Sequence, residues 1–169
     1  IFLSADKNSS TVHITTDGIT WTISNTNVES TTWPSLAYGN GIFVISDADG
    51  ATSIPEISTD GITWTQTSSI VQYALISYVN NKFVASDYSS GSVIKVSTDC
   101  ITWSGYQNLE TYGHTLLAYN LNTKMQYLNG RYIYGVYNLF ENSFDNHLKN
   151  LIHSTDLITW DLGELKTSL

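Results

Sequence analysis

Apolar residues along this chain come in short runs broken by turn-forming residues. LAYGNG at 36–41 leads directly into IFVISD at 42–47, and ISYVNN at 76–81 leads into KFVASD at 82–87. MQYLNG at 125–130 leads into RYIYGV at 131–136, and IFLSAD at 1–6 matches the second half of that pattern. Asn-Gly or Asn-Asn between two apolar runs is the pattern of a tight β-hairpin turn, because both central residues must take positive φ. Each unit therefore begins with two antiparallel strands.

Downstream of each hairpin stands a second repeated element. TTDGITW at 15–21, STDGITW at 58–64, STDCITW at 97–103 and STDLITW at 154–160 align without gaps. Their aspartates, Asp17, Asp60, Asp99 and Asp156, recur at intervals of 43, 39 and 57 residues, and each is followed by a tryptophan: Trp21, Trp64, Trp103 or Trp160. An Asp at this place closes a turn by accepting backbone N–H bonds from the next few residues. Gly18 and Gly61 supply a positive φ just after it. Strand alternation through the signature would set Ile and Trp on one face and Thr on the other, giving one buried Ile and one buried Trp per unit.

One period thus parses as strand, tight turn, strand, variable loop, strand, Asp turn and a strand ending on Trp. That is a four-stranded antiparallel meander. A period near 40 with four short strands predicts an all-β fold of β-propeller blades. A parallel β-helix, with a shorter period and no fixed hairpin, ranks second. The expected blades are 1–24 (incomplete), 33–67, 73–106 and 115–162. Ile1 falls in mid-strand and the C-terminal KTSL stops where the next blade would open, so the segment is expected to belong to a larger propeller.

Composition narrows the partners. Ser, Thr and Asn make up about a third of the chain, a folded hydroxyl-rich composition. Seven basic against 15 acidic residues give a net charge of −8, and the basic residues are scattered singly. No basic face for phosphate backbones or anionic lipid is expected, hence no nucleic-acid partner. No run of 18 apolar residues occurs, so no membrane insertion is expected. Cys100 is the one cysteine, which excludes an intrachain disulfide.

The four signatures resemble the Asp-box, or BNR, repeat, although each is one residue shorter between Asp and Thr. The form STDGITW preceded by YGNG resembles that of propeller domains in phage tail fibres and other virion or cell-surface proteins. The resemblance implies that the box is a structural turn remote from any active site. A sialidase-like site would need three arginines around the substrate carboxylate, and this chain has only Arg131.

Candidate chemistry is sparse. Asp47 and Asp49, with Glu56 downstream, loosely match the start of a calcium loop but lack a third ligand at the right spacing. Asp6 and Asp87 hold the position of Asp47 in other units, which favours a turn device. His13, His114 and His153 have no second His or Cys at ligand spacing, and no metal or cofactor is expected. Cys100 has no neighbouring His to activate it.

The last unit carries a long loop, YNLFENSFDNHLKN at 137–150, in which Tyr137, Phe140, Phe144 and His147 stand among Asn142 and Asp145. Such a loop could bind a glycan or protein by stacking and amide bonds, or its phenylalanines could simply pin it to the blade.

Two functions compete on this basis. The first is a non-enzymatic propeller module at a virion surface or in the extracellular space, assembled with other subunits and used for display and for recognition of a surface glycan or protein. The second is a sialidase-like glycoside hydrolase whose catalytic residues lie elsewhere, Glu110, Glu141 and Glu164 not falling at equivalent blade positions.

Overall fold

The computed structural model describes residues 1–6, 9–26, 34–47, 54–68, 74–87, 93–108, 114–116, 124–138 and 149–163. Among these there is no helix, and all strand pairing is antiparallel. The first sheet has β1 (Phe2–Ala5), β2 (Thr11–Thr15) and β3 (Thr22–Asn25) in chain order. The second has β4 (Pro34–Gly39), β5 (Ile42–Asp47), β6 (Glu56–Ser58) and β7 (Thr65–Gln66). The third has β8 (Ala74–Val79), β9 (Lys82–Asp87), β10 (Val93–Ser97) and β11 (Ser104–Asn108). The fourth has β12 (His114–Leu116), β13 (Gln126–Leu128), β14 (Arg131–Asn138), β15 (Lys149–Ser154) and β16 (Asp161–Leu162).

The hairpins form for the reason the sequence suggests. Asn40 and Gly41 have φ of 49° and 76°, Asn80 and Asn81 have 48° and 59°, and Asn129 and Gly130 have 50° and 77°. Two consecutive positive φ values twist the turn in the same sense as the strands it joins.

Consecutive sheets bury one face on each other, which gives three junctions among the described residues. Phe43, Ile45 and Trp64 of the second sheet pack on Val12, Leu3 and Ala5 of the first. Phe83, Ala85, Cys100 and Trp103 of the third pack on Val44, Ala37, Ile42 and Ile57 of the second. Met125, Tyr132, Tyr134, Leu157 and Trp160 of the fourth pack on Val84 and Ile94 of the third. Four consecutive meanders stacked face to face in chain order are propeller blades.

Polar bonds cross the same junctions. Ser24 Oγ donates to Ile62 O at 2.6 Å, Asn80 Nδ2 to the Tyr132 hydroxyl at 2.8 Å, and the Tyr134 hydroxyl to Ser86 Oγ at 2.9 Å.

Four expectations are corrected. The signature isoleucines are exposed, Ile19 by 84% and Ile62, Ile101 and Ile158 by about half. Their backbone N–H groups serve the turn carboxylate, so Asp-x-Ile-Thr curls instead of extending and strand alternation does not apply. For the same reason each Trp precedes the last strand instead of ending it. Trp21 is also solvent-exposed, because no described sheet covers its side of the first sheet. Finally, the fourth blade has five strands, β12 and β13 both pairing with β14 along one edge.

Candidate functional site

The four Asp turns share one geometry. In the second sheet Ser58 Oγ donates to Asp60 Oδ1 at 2.9 Å and accepts the N–H of Gly61 at 2.7 Å. The same carboxylate oxygen accepts the N–H groups of Ile62 and Thr63, both at 2.8 Å. Thr15 and Asp17, Ser97 and Asp99, and Ser154 and Asp156 repeat these bonds. Trp64 and Trp103 finish the motif by donating Nε1–H to the carbonyls of Gly61 and Cys100 at 3.1 Å. Trp160 Nε1 is buried with no partner among the described residues.

Donated N–H groups favour the charged form. They hold Asp17, led by Ile19, and Asp60 and Asp156, led by Thr63 and Thr159, down at about 2. Asp99 is lowered in the same way, chiefly by Thr102. A carboxylate held ionised and already accepting three bonds is unsuited to general acid work.

The residue after each Asp takes positive φ whether or not it is glycine: 76° and 75° at Gly18 and Gly61, 61° at Cys100 and 68° at Leu157. The side chain there points at the preceding sheet. A Cβ on Gly61 would meet Ile14 Cδ1 at 2.6 Å, and Cys100 and Leu157 are buried in the junctions. Burial, with Asp99 beside it, pushes the Cys100 thiol up to about 12, which makes it unreactive.

A further candidate site lies along the first-strand edges. Ser35 Oγ on β4 accepts the N–H of Ile76 on β8 at 2.9 Å, and Ser77 Oγ on β8 accepts the N–H of Met125, just before β13, at 3.1 Å. Lys124 Nζ reaches past the third sheet to Leu36 O of the second at 2.6 Å. A single side chain spans that gap, so the edges of three blades converge. Desolvation lowers the Lys124 ammonium from its ordinary value.

On these edges Tyr38, Tyr78 and Tyr127 hold one register position, each paired with the aromatic ring directly across its hairpin. The centroid distances are 4.3 Å to Phe43, 4.8 Å to Phe83 and 4.8 Å to Tyr132. Tyr78 lies over Gly39, where a Cβ would come within 2.0 Å of its ring. Tyr38 is 57% and Tyr127 38% exposed. The edge therefore offers aromatic surface and a cation, a combination that binds polar ligands with apolar faces.

Of the last-blade loop, Tyr137 lies in β14 opposite Thr115 and Lys149. Phe140, Asn142, Phe144, Asp145 and His147 lie outside the described residues, as do Asp49, Glu110, Glu141 and Glu164. Asp47 and Glu56 are buried in the second sheet. His13 Nε2 lies 2.8 Å from Asp6 Oδ2, and His153 Nδ1 lies 2.9 Å from Arg131. Among the described residues no group of His, Cys, Asp or Glu is placed to hold a metal ion.

No protein-family model matches the chain, and no curated protein matches it. Solved structures do resemble it. One is described with the GH130 family of mannoside phosphorylases, among glycoside hydrolases that target β-1,2 mannosidic linkages in Candida mannan (13% identity, TM-score 0.45, 79% of this chain and 48% of that one). Another is a glycosyl hydrolase from Bacteroides ovatus (14%, 0.47, 79% and 48%). A third is the Trypanosoma rangeli sialidase in complex with 2,3-difluorosialic acid (13%, 0.48, 94% and 33%). The chain spans between a third and half of their lengths.

These comparisons correct the expectation that the chain is not an enzyme, since each of these similar structures is described as a glycoside-processing protein or a sialidase. Structural Asp turns and a single arginine exclude only one kind of active site, and only within this segment.

Proposed function

We propose that this chain is part of a glycan-directed propeller of the glycoside-hydrolase kind, its converging first-strand edges forming a sugar-contacting wall. The acid and base carboxylates of such a site would lie outside the described residues. The observation that carries the reading is the row of Tyr38, Tyr78 and Tyr127 at one register, with Lys124 bonded to Leu36 O two residues before Tyr38. Sugar rings present apolar C–H faces that stack on such rings, while hydroxyls or a carboxylate bond to cations and carbonyls. Lys124 suits an acidic sugar in a protein otherwise short of positive charge. An extracellular or virion-surface setting belongs to the same proposal, supported by the acidic, hydroxyl-rich composition.

The test is calorimetric titration of the intact protein with neutral and acidic oligosaccharides, followed by an assay for release of reducing sugar. Tyr38→Ala and Tyr127→Ala should each weaken binding about tenfold, equivalent to about 1.4 kcal/mol. Lys124→Ala should act mainly on acidic sugars. Absence of saccharide binding, or binding indifferent to all three substitutions, would contradict the reading.

A further inference from the structure

The hairpin turns of the second and third sheets have one backbone and differ by one residue. Asn40-Gly41 has φ of 49° and 76°, and Asn80-Asn81 has 48° and 59°. Both turns lie outside the ladder, whose last pairs are Gly39 with Ile42 and Val79 with Lys82. Asn40 and Gly41 are exposed, and a Cβ built on Gly41 would meet nothing within 4 Å.

The two side chains are held differently. Asn80 Nδ2 donates to the Tyr132 hydroxyl of the next sheet at 2.8 Å. The residue that takes the place of Tyr132 in the third sheet is Phe83, which has no hydroxyl, so that bond has no counterpart at Asn40. Asn40 therefore joins a carboxamide without that tie to a following backbone nitrogen that no side chain shields and no ladder bond holds.

We propose that Asn40 is a site of spontaneous covalent modification, its carboxamide converting to aspartate and isoaspartate while the chain is folded. The Gly41 nitrogen attacks Asn40 Cγ, closing a five-membered imide. The Cγ–Nδ2 bond breaks, and the Gly41 amide proton passes through water to the departing ammonia. Water then opens the ring. Breaking the new bond from Cγ to the Gly41 nitrogen gives aspartate. Breaking the original peptide bond gives isoaspartate, whose backbone runs through the side chain.

Isoaspartate lengthens a two-residue turn by one backbone atom, and the turn sets the register of the strands it joins. Gly39 stands next to it, where a Cβ would come within 2.0 Å of the Tyr78 ring. Conversion thus disturbs the first-strand edge between the second and third sheets. Either product also adds a negative charge to a chain already at −8.

Peptide mass mapping of the intact protein after incubation at mildly alkaline pH tests this. The mass increase of amide-to-acid conversion should appear at Asn40 and be absent at Asn80. Asn40→Gly, which still takes positive φ freely, should abolish it there. Asn81→Gly should make Asn80 convert, more slowly than Asn40, and adding Tyr132→Phe should remove that difference in rate. Conversion of Asn40 only after unfolding in urea, or equal conversion of Asn80 in the wild-type chain, would overturn the proposal.

Discussion

Phe2 and Phe83 occupy the same position in the repeat, yet Phe2 is 63% exposed and Phe83 fully buried. Trp21 and Trp64 differ in the same direction. The residues, the local strand and the following Asp turn are alike, so the difference comes from the neighbouring sheet alone. A blade in this molecule makes its own hairpins and turns but completes its core only against another blade, as expected of a repeat architecture.

The sharpest way to break this comparison is to truncate both aromatics. Phe83→Ala should cost about 3–5 kcal/mol, because it removes a side chain from a packed junction. Phe2→Ala should cost less than about 0.5 kcal/mol under conditions where the chain is monomeric. Urea unfolding measures both, and similar losses would mean that the first sheet is not open.

The residue after each Asp gives a smaller contrast. Leu157→Gly relieves a positive φ but empties a buried site, so a net loss of about 1–3 kcal/mol is expected. Cys100→Gly gives up less volume for the same relief and should lie within about 1 kcal/mol of wild type.

Smaller still is Gly18→Ala, which meets nothing within 4 Å and should cost about 1 kcal/mol for its φ alone. Gly61→Ala must also displace Ile14 Cδ1, so thermal melts should rank it below Gly18→Ala.

The smallest effect is acid sensitivity. The turn carboxylates of Asp17, Asp60 and Asp156 sit at about 2 in the folded chain, below the ordinary 3.8. Their stabilisation is therefore present above about pH 4 and is lost as pH falls through about 2. Melting temperature should hold from pH 7 to pH 5 and drop by a few degrees from pH 4 to pH 2, and less so in Asp60→Asn.

What was legible in the sequence was what is local. Asn40-Gly41 and Asn129-Gly130 had to be hairpin turns, and Asp60 had to bind nearby N–H groups, because those bonds span three residues or fewer. Strand alternation misplaces Ile19, because its N–H is claimed by Asp17 Oδ1 at 2.8 Å and the signature curls. Lys124 left no signal, since its bond to Leu36 joins residues 88 apart in sequence. Tyr38, Tyr78 and Tyr127 did leave one: the same aromatic on the first strand of three units, where the turn itself requires only Asn and Gly.

Amide chemical-shift mapping of the intact protein during titration with the tightest-binding oligosaccharide would locate the saccharide on the molecule. The perturbed amides should cluster on β4, β8 and β13, around Leu36, Tyr38, Tyr78 and Tyr127, and leave the Asp turns unchanged. Perturbations confined to the Asp17, Asp60, Asp99 and Asp156 turns, or spread evenly without saturation, would contradict that placement.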